Sequence, residues 1–303
     1  MTEEGVAARL QPGSNSGSLQ PDSVTVSEVL RRSTEHLARK GSETPRLDAE
    51  RLLAKALGLE RIELYMAFDR PLNAAELDAA RALVIRRASR EPLQYVLGEW
   101  EFRHLTLTVD PRALIPRPET EVLVERALAL LAGRDLPRVL DVGTGSGAIA
   151  LAIADEHPGA RVTGIDSSTD ALSLAAENVA RTGVAVELAR HDLYDGLPPG
   201  PWDLVVSNPP YVDAADVASL QPEVRDWEPH AALTAEGAVE AVATGAASVL
   251  APGGAVVIEV GAGQAAALSS LLTNLGLRDV RITPDLAGID RVLEGLAPTV
   301  SEA

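Results

Sequence analysis

Residues 138–153, RVLDVGTGSGAIALAI, run a short apolar segment straight into three alternating glycines and then into a stretch with helical periodicity. Few folds accept that order. The apolar segment has strand length and no polar alternation, as expected of a strand buried on both faces. Gly143, Gly145 and Gly147 let the backbone turn sharply and approach a ligand closely, while the helix that follows offers unpaired N–H groups. Such a unit needs parallel neighbours, and the sequence supplies them. ARVTGID (160–166) is followed by a helix near Thr169–Thr182, and VAVELAR and WDLVVSN come next. A long helix precedes GGAVVIEVG (253–261), and a last helix over Gln264–Leu275 precedes GLRDVRIT and DRVLEGL. Strands alternating with helices predict an α/β domain: a parallel sheet covered on both faces, closed by an antiparallel pair joined by a short loop.

The remainder divides by pattern. Residues 1–22, rich in Gly, Ser, Pro and Gln, read as a disordered tail. Residues 23–92 read as a small helical bundle. One helix lies over Val26, Val29, Leu30, Ser33 and Leu37 and ends at Gly41, and another starts on Pro45. A short segment spans Ile62–Phe68, and a further helix spans Ala74–Arg90. Residues 93–118 change character: FRHLTLTVD alternates in strand fashion between prolines, which predicts a linker with a β-hairpin. The domain that carries the glycine loop then occupies 119–303.

Composition limits the partners. The formal net charge of −17 opposes strong non-specific binding to nucleic acid, which requires Lys and Arg to displace counterions. No apolar run is long enough to span a bilayer, and the first twenty-odd residues hold no apolar signal core, so a cytoplasmic protein is expected. There are no cysteines, and His36, His104, His157, His191 and His230 show no metal-ligand spacing, so no metal is implied.

The glycine loop by itself leaves its ligand open. GTGSGA also satisfies a dinucleotide pattern, and Asp166, at the end of the second strand, can accept hydrogen bonds from a ribose in NAD or in S-adenosyl-L-methionine equally well. Asp192 can accept from an adenine amino group, with Leu193 as apolar neighbour to the ring. A sharper signal is VVSNPPYVD (205–213), which follows the fourth strand. Ligands of such sheets lie beyond the carboxyl ends of the strands, so this corner stands beside whatever the glycine loop holds. Asn208 offers a side-chain carbonyl and Pro209 a peptide carbonyl. Pro209 and Pro210 donate no N–H and fix φ, which keeps those acceptors aimed, and Tyr211 can stack on a planar group. An amide or arylamine nitrogen is a poor nucleophile, and holding both its N–H groups on pre-organised acceptors is one way to make it react.

Asn-Pro-Pro-Tyr after strand four, with DVGTGSG after strand one, resembles the amino-group methyltransferases that use S-adenosyl-L-methionine. That set includes DNA adenine-N6 enzymes, guanine-N2 RNA enzymes and protein glutamine-N5 enzymes, and the tetrapeptide does not separate them. EPLQYVLGEWEF, LIPRPETE (114–121) and GIDRVL (288–293) do, because together they resemble the HemK-type release factor glutamine methyltransferases over about Val24 to Leu296. The resemblance implies a Rossmann-like, seven-stranded methyltransferase domain over 119–303, with a helical release-factor-recognition domain before it. It implies direct in-line transfer of the sulfonium methyl to the glutamine amide in the Gly-Gly-Gln loop of class I peptide chain release factors. The catalytic residues would be Asn208, Pro209 and Tyr211, which grip the glutamine together with Pro210. Gly143, Thr144, Gly145, Ser146 and Gly147 would hold the methionine portion of the cofactor, Asp166 the ribose, and Asp192 with Leu193 the adenine; Asn208 would border the cofactor as well. LIPRPETE would form a wall near the site, and its carboxylates Glu119 and Glu121 read equally well as an acid-rich helix start.

Overall fold

A computed structural model describes residues 24–299; the expected disordered tail, 1–22, lies outside the described residues. The chain divides into two compact units at Ile85–Arg86. That boundary falls inside the helix Ala74–Ala88.

The first unit is helical. α1 (Val26–Arg39) starts at Thr25, whose hydroxyl accepts from the Glu28 N–H at 3.3 Å, and it buries Val26, Leu30 and Leu37 at helical spacing. α2 (Pro45–Leu57) begins on its proline and ends at Gly58 in the left-handed region, a common stop. The expected short segment is a single turn, α3 (Glu63–Met66), and α4 (Ala74–Ala88) follows it.

The second unit takes in the end of α4 and continues with α5 (Leu93–Leu97), a turn of helix where the sequence predicts a linker. A hairpin follows, β1 (Glu99–Phe102) with β2 (Leu105–Thr108), which turns at Arg103 with φ +53°. Phe102 and Leu107 are fully buried in the main core of this unit, so the 93–118 segment is packed along its length and is no free connection.

Next come α6 (Pro118–Leu131), β3 (Arg138–Val142), α7 (Ala148–Glu156), β4 (Arg161–Asp166), α8 (Thr169–Thr182), β5 (Glu187–Arg190) and β6 (Trp202–Ser207). Two single-turn helices, α9 (Pro222–Arg225) and α10 (His230–Leu233), lead to α11 (Ala238–Val249), β7 (Leu250–Glu259), α12 (Ala265–Asn274), β8 (Arg278–Pro284) and β9 (Asp290–Leu296). The sheet has seven strands in the order β5-β4-β3-β6-β7-β9-β8. β9 is antiparallel to both its neighbours, and all other pairs are parallel. The anticipated antiparallel pair is present, with β9 between β7 and the edge strand β8.

Successive residues of the central strands point to opposite faces. Val139, Leu204, Val206 and Val257 pack with α6 and α7 on one side, while Leu140, Val205, Val256 and Ile258 pack with α11 and α12 on the other. Each such side chain contributes about 1.5–3 kcal/mol when fully buried. Strand order reverses around β3, which lies between β4 and β6, and register pairs Val142 with Ile165 on one side and with Ser207 on the other. The loops after all three strands therefore open into one crevice, the usual ligand position in such a sheet.

Candidate active site

The glycine loop hangs from the end of β4. The N–H groups of Gly143 and Thr144 both donate to the Ile165 carbonyl at 2.9 Å, and the Gly145 N–H donates to Asp166 Oδ2 at 2.9 Å. Gly143, Gly145 and Gly147 have φ of +71°, +57° and +83°. At Gly147 a Cβ would lie 3.3 Å from Ala175 Cβ and from Leu151 Cδ1, so both conformation and packing demand glycine. At Gly145 a Cβ would meet nothing closer than 3.9 Å; there the glycine serves the left-handed turn and keeps the cradle open. Beneath the loop, fully buried Asp141 accepts from Thr144 Oγ1 at 2.6 Å through Oδ2. Burial pushes this carboxyl up to about 7.

Asp166 does not cap α8. Ser168 does, accepting from the Ala171 N–H, and Asp166 Oδ1 takes the Ser168 N–H at 2.9 Å. Burial raises the Asp166 pKa, and the N–H groups of Ser168 and Gly145 oppose the rise. Each oxygen still has a lone pair to offer a hydroxyl. Asp192 spends Oδ1 on the Tyr194 N–H at 3.0 Å and is exposed, with half-buried Leu193 beside it.

A cavity of about 350 Å³ joins these groups, lined by Gly143 to Ser146, Asp166, Asp192, Leu193, Asn208 and Pro210 among others. It falls within the size range of small-molecule sites. Open glycine backbone, a hydroxyl-accepting carboxylate and an apolar flank fit S-adenosyl-L-methionine. Of the residues named from sequence, Gly147, Pro209 and Tyr211 are not among those that line it, and Gly147 is packed on α8.

Ser207, fully buried, donates from Oγ to the Val142 carbonyl at 2.7 Å and fastens the end of β6 to the end of β3. Asn208 follows at once. Its Nδ2 donates to Thr120 Oγ1 at 3.2 Å, and Thr120 Oγ1 donates to Glu259 Oε2 at 2.7 Å. Tyr211 OH donates to the other oxygen of Glu259 at 3.2 Å, and Gln264 Nε2 donates to the Tyr211 carbonyl at 3.2 Å. Among the described residues, neither Asn208 Oδ1 nor the Pro209 carbonyl receives a hydrogen bond from the protein. Burial raises the Glu259 pKa, opposed by the Thr120 and Tyr211 hydroxyls and the charge of Arg291. Burial and the neighbouring Glu259 also lift the Tyr211 phenol well above its ordinary range, so it stays neutral. The wall from LIPRPETE is held by Glu228, which accepts from the Ile115 N–H at 3.1 Å and pairs with Arg117.

Sequence reading passed over Thr120, Glu259, Asp141 and Glu228. In LIPRPETE it weighed the two carboxylates, yet Glu119 is exposed and the buried Thr120 between them faces the site. Nothing local marks that threonine. Glu259 and Asp141 did carry a signal, a charge inside an otherwise apolar strand, which is costly unless it is partnered.

Residues 28–98 match the PrmC N-terminal domain, and residues 119–275 match the methyltransferase small domain. A release factor glutamine methyltransferase of Geobacter sulfurreducens is 45% identical over 285 residues, covering 91% of this chain and 98% of that protein. Its counterpart in Chlorobaculum tepidum is 42% identical, covering 90% and 97%. The one in Deinococcus radiodurans is 41% identical, covering 87% and 95%.

Proposed function

The chain belongs to the release factor glutamine methyltransferases, and we propose that it methylates the side-chain amide N5 of the glutamine in the Gly-Gly-Gln loop of class I peptide chain release factors. S-adenosyl-L-methionine supplies an electrophilic sulfonium methyl for direct in-line transfer. The residues of this chain bind, aim and desolvate. Gly143 to Ser146 give the methionine portion a close backbone surface, with Gly147 seating the loop on α8, while Asp166 accepts from the ribose hydroxyls and Asp192 with Leu193 receives the adenine.

The observation that carries the reading is the pair of acceptors left without a protein donor, Asn208 Oδ1 and the Pro209 carbonyl, one strand away from the glycine loop. A glutamine amide has two N–H groups that match them. Held there, its nitrogen is aimed at the arriving methyl, the acceptors stabilise the positive charge that develops on the NH₂ group, and one of its N–H protons is lost after the transfer. Neutral Tyr211 packs beside the amide plane without competing as an anion. No nucleophilic side chain and no covalent enzyme intermediate are required.

For the helical unit we propose release-factor recognition, supported by an exposed apolar set on and beside α3: Ile62, Tyr65 and Met66 are 70%, 46% and 79% exposed. Such a set on a domain with no chemistry of its own suits a partner surface. Met66→Glu should raise KM for the release factor and leave cofactor affinity alone; an unchanged KM rules this surface out. The same reading places the protein in the cytoplasm, where release factors act, without membrane or direct nucleic-acid binding.

The test uses labelled S-adenosyl-L-methionine with unmethylated release factor, with the same factor lacking the loop glutamine, and with duplex DNA. Label on the first alone supports the reading. Label on DNA would favour an adenine-N6 or guanine-N2 amino-group methyltransferase instead, a reading that the net charge of −17 opposes.

A further inference from the structure

An asparagine side chain is nearly symmetric in shape, so packing alone does not decide which end of it faces a neighbour; the hydrogen-bond network does. Asn208 must turn its carbonyl toward the acceptor glutamine for the grip proposed above, and the reasoning here rests on that reading. Its neighbour Thr120 has a single hydroxyl hydrogen and could serve an amide as donor or as acceptor. Behind Thr120 stands Glu259, 1% exposed, on β7.

We propose that Glu259 is a positioning residue that fixes the orientation of the Asn208 amide through Thr120, and that Thr120 relays a choice of hydrogen-bond direction it does not make itself. Glu259 accepts through both of its oxygens, one from Thr120 at 2.7 Å and one from Tyr211 at 3.2 Å. The hydrogen of Thr120 is thereby committed. Its oxygen can then only accept, so the Asn208 end that meets it must be the NH₂ group, as the 3.2 Å contact from Nδ2 has it. Oδ1 is left for the substrate. Thr120 is 4% exposed, so little water reaches the chain of bonds to reset its direction. The same carboxylate also holds the Tyr211 hydroxyl. A single buried carboxyl group thus sets two of the groups that grip the substrate, from an element outside the Asn-Pro-Pro-Tyr corner.

A glutamine at position 259 keeps size and shape but can donate. Its NH₂ group could give a hydrogen to Thr120, Thr120 could then donate to Asn208 Oδ1, and the asparagine would present its NH₂ to the substrate. Glu259→Gln should therefore lower kcat on release factor about 100-fold, the scale of misplacing a positioned group. Its affinity for S-adenosyl-L-methionine by calorimetry and its melting temperature should stay near wild type. Thr120→Val, which cuts the relay, should lose a similar factor, and Thr120→Ser, which keeps the hydroxyl, should recover the rate. Because both single changes break one chain, the double variant should be no worse than either alone.

Wild-type kcat in Glu259→Gln overturns the proposal. So does a Glu259→Gln or Thr120→Val variant whose cofactor affinity and melting temperature fall along with its rate, since that is what a merely structural role gives. A Thr120→Ser variant as slow as Thr120→Val overturns it too. Failure of the wild-type protein to label the loop glutamine would instead sink the reading of function, independently of these variants.

Discussion

Two loops on neighbouring strands do opposite kinds of work. The glycine loop after β3 is made of backbone. Its shape comes from positive φ at Gly143, Gly145 and Gly147, and its anchors are main-chain groups of the adjacent β4 together with Asp166. The Asn-Pro-Pro-Tyr corner after β6 depends on side chains as well as backbone: the Asn208 amide and the Tyr211 phenol are held by Thr120 from α6 and Glu259 from β7, and the Tyr211 carbonyl by Gln264 at the start of α12. A loop that binds through its own backbone needs only a permissive local sequence. A corner that must aim two acceptors needs partners far away in the chain, because prolines fix φ but do not orient an amide side chain.

That contrast predicts separable failures, and the largest lies at the corner. Asn208→Ala removes one of the pre-organised acceptors and should cost about 100-fold or more in kcat, ~2.7–4 kcal/mol, with cofactor affinity intact. Near wild-type turnover would break the comparison at its stronger end. On the loop side, Asp166→Ala deletes both the brace on Gly145 and the acceptor offered to the ribose. Loss of hydrogen bonds to a charged group, about 1.5–3 kcal/mol, predicts a cofactor affinity roughly 10-fold to 100-fold weaker. The rate at saturating cofactor should fall much less. Unchanged affinity by calorimetry would remove the ribose assignment.

A third effect falls on stability and not on activity, at the support under the loop. Asp141 holds its proton up to about pH 7 in the folded protein, whereas an unfolded chain releases it near pH 3.9. Its contribution to stability is therefore fully present below about pH 4 and is lost as the pH climbs toward 7. Asp141→Asn cannot titrate. Relative to wild type, the variant should gain melting temperature between pH 4 and pH 7, and a difference that stays constant across that range would show that Asp141 is not the titrating group.

Legibility followed the same division. Helix α2 starts where expected and α8 spans the expected Thr169–Thr182, because Pro45 marks the one start and Ser168 and Gly183 flank the other helix locally. The hairpin at 99–108 was legible as a hairpin, but its role in the core was not: Phe102 and Leu107 are buried by elements distant in the chain. Asn178 shows the same limit. It sits inside α8 as an unremarkable polar residue, yet it is fully buried, accepting from the Thr108 N–H at 2.7 Å and donating to the Ser146 carbonyl at 2.9 Å. It ties the hairpin to the glycine loop, and no periodicity announces it.

The sequence by itself determined the α/β order, the glycine turn, the acceptor corner and the family, since each of these is written in a contiguous run whose physics is local: backbone freedom at glycine, fixed φ at proline, apolar strands at regular intervals. Only the tertiary structure decided that Thr120 and not its flanking glutamates faces the site, that Glu259 backs it, and that Asp166 braces the loop through the Gly145 N–H. Those assignments depend on which groups are buried together. A buried polar group must find a partner at hydrogen-bond distance, and which partner it finds is set by the register of strands and the packing of helices brought together from distant parts of the chain.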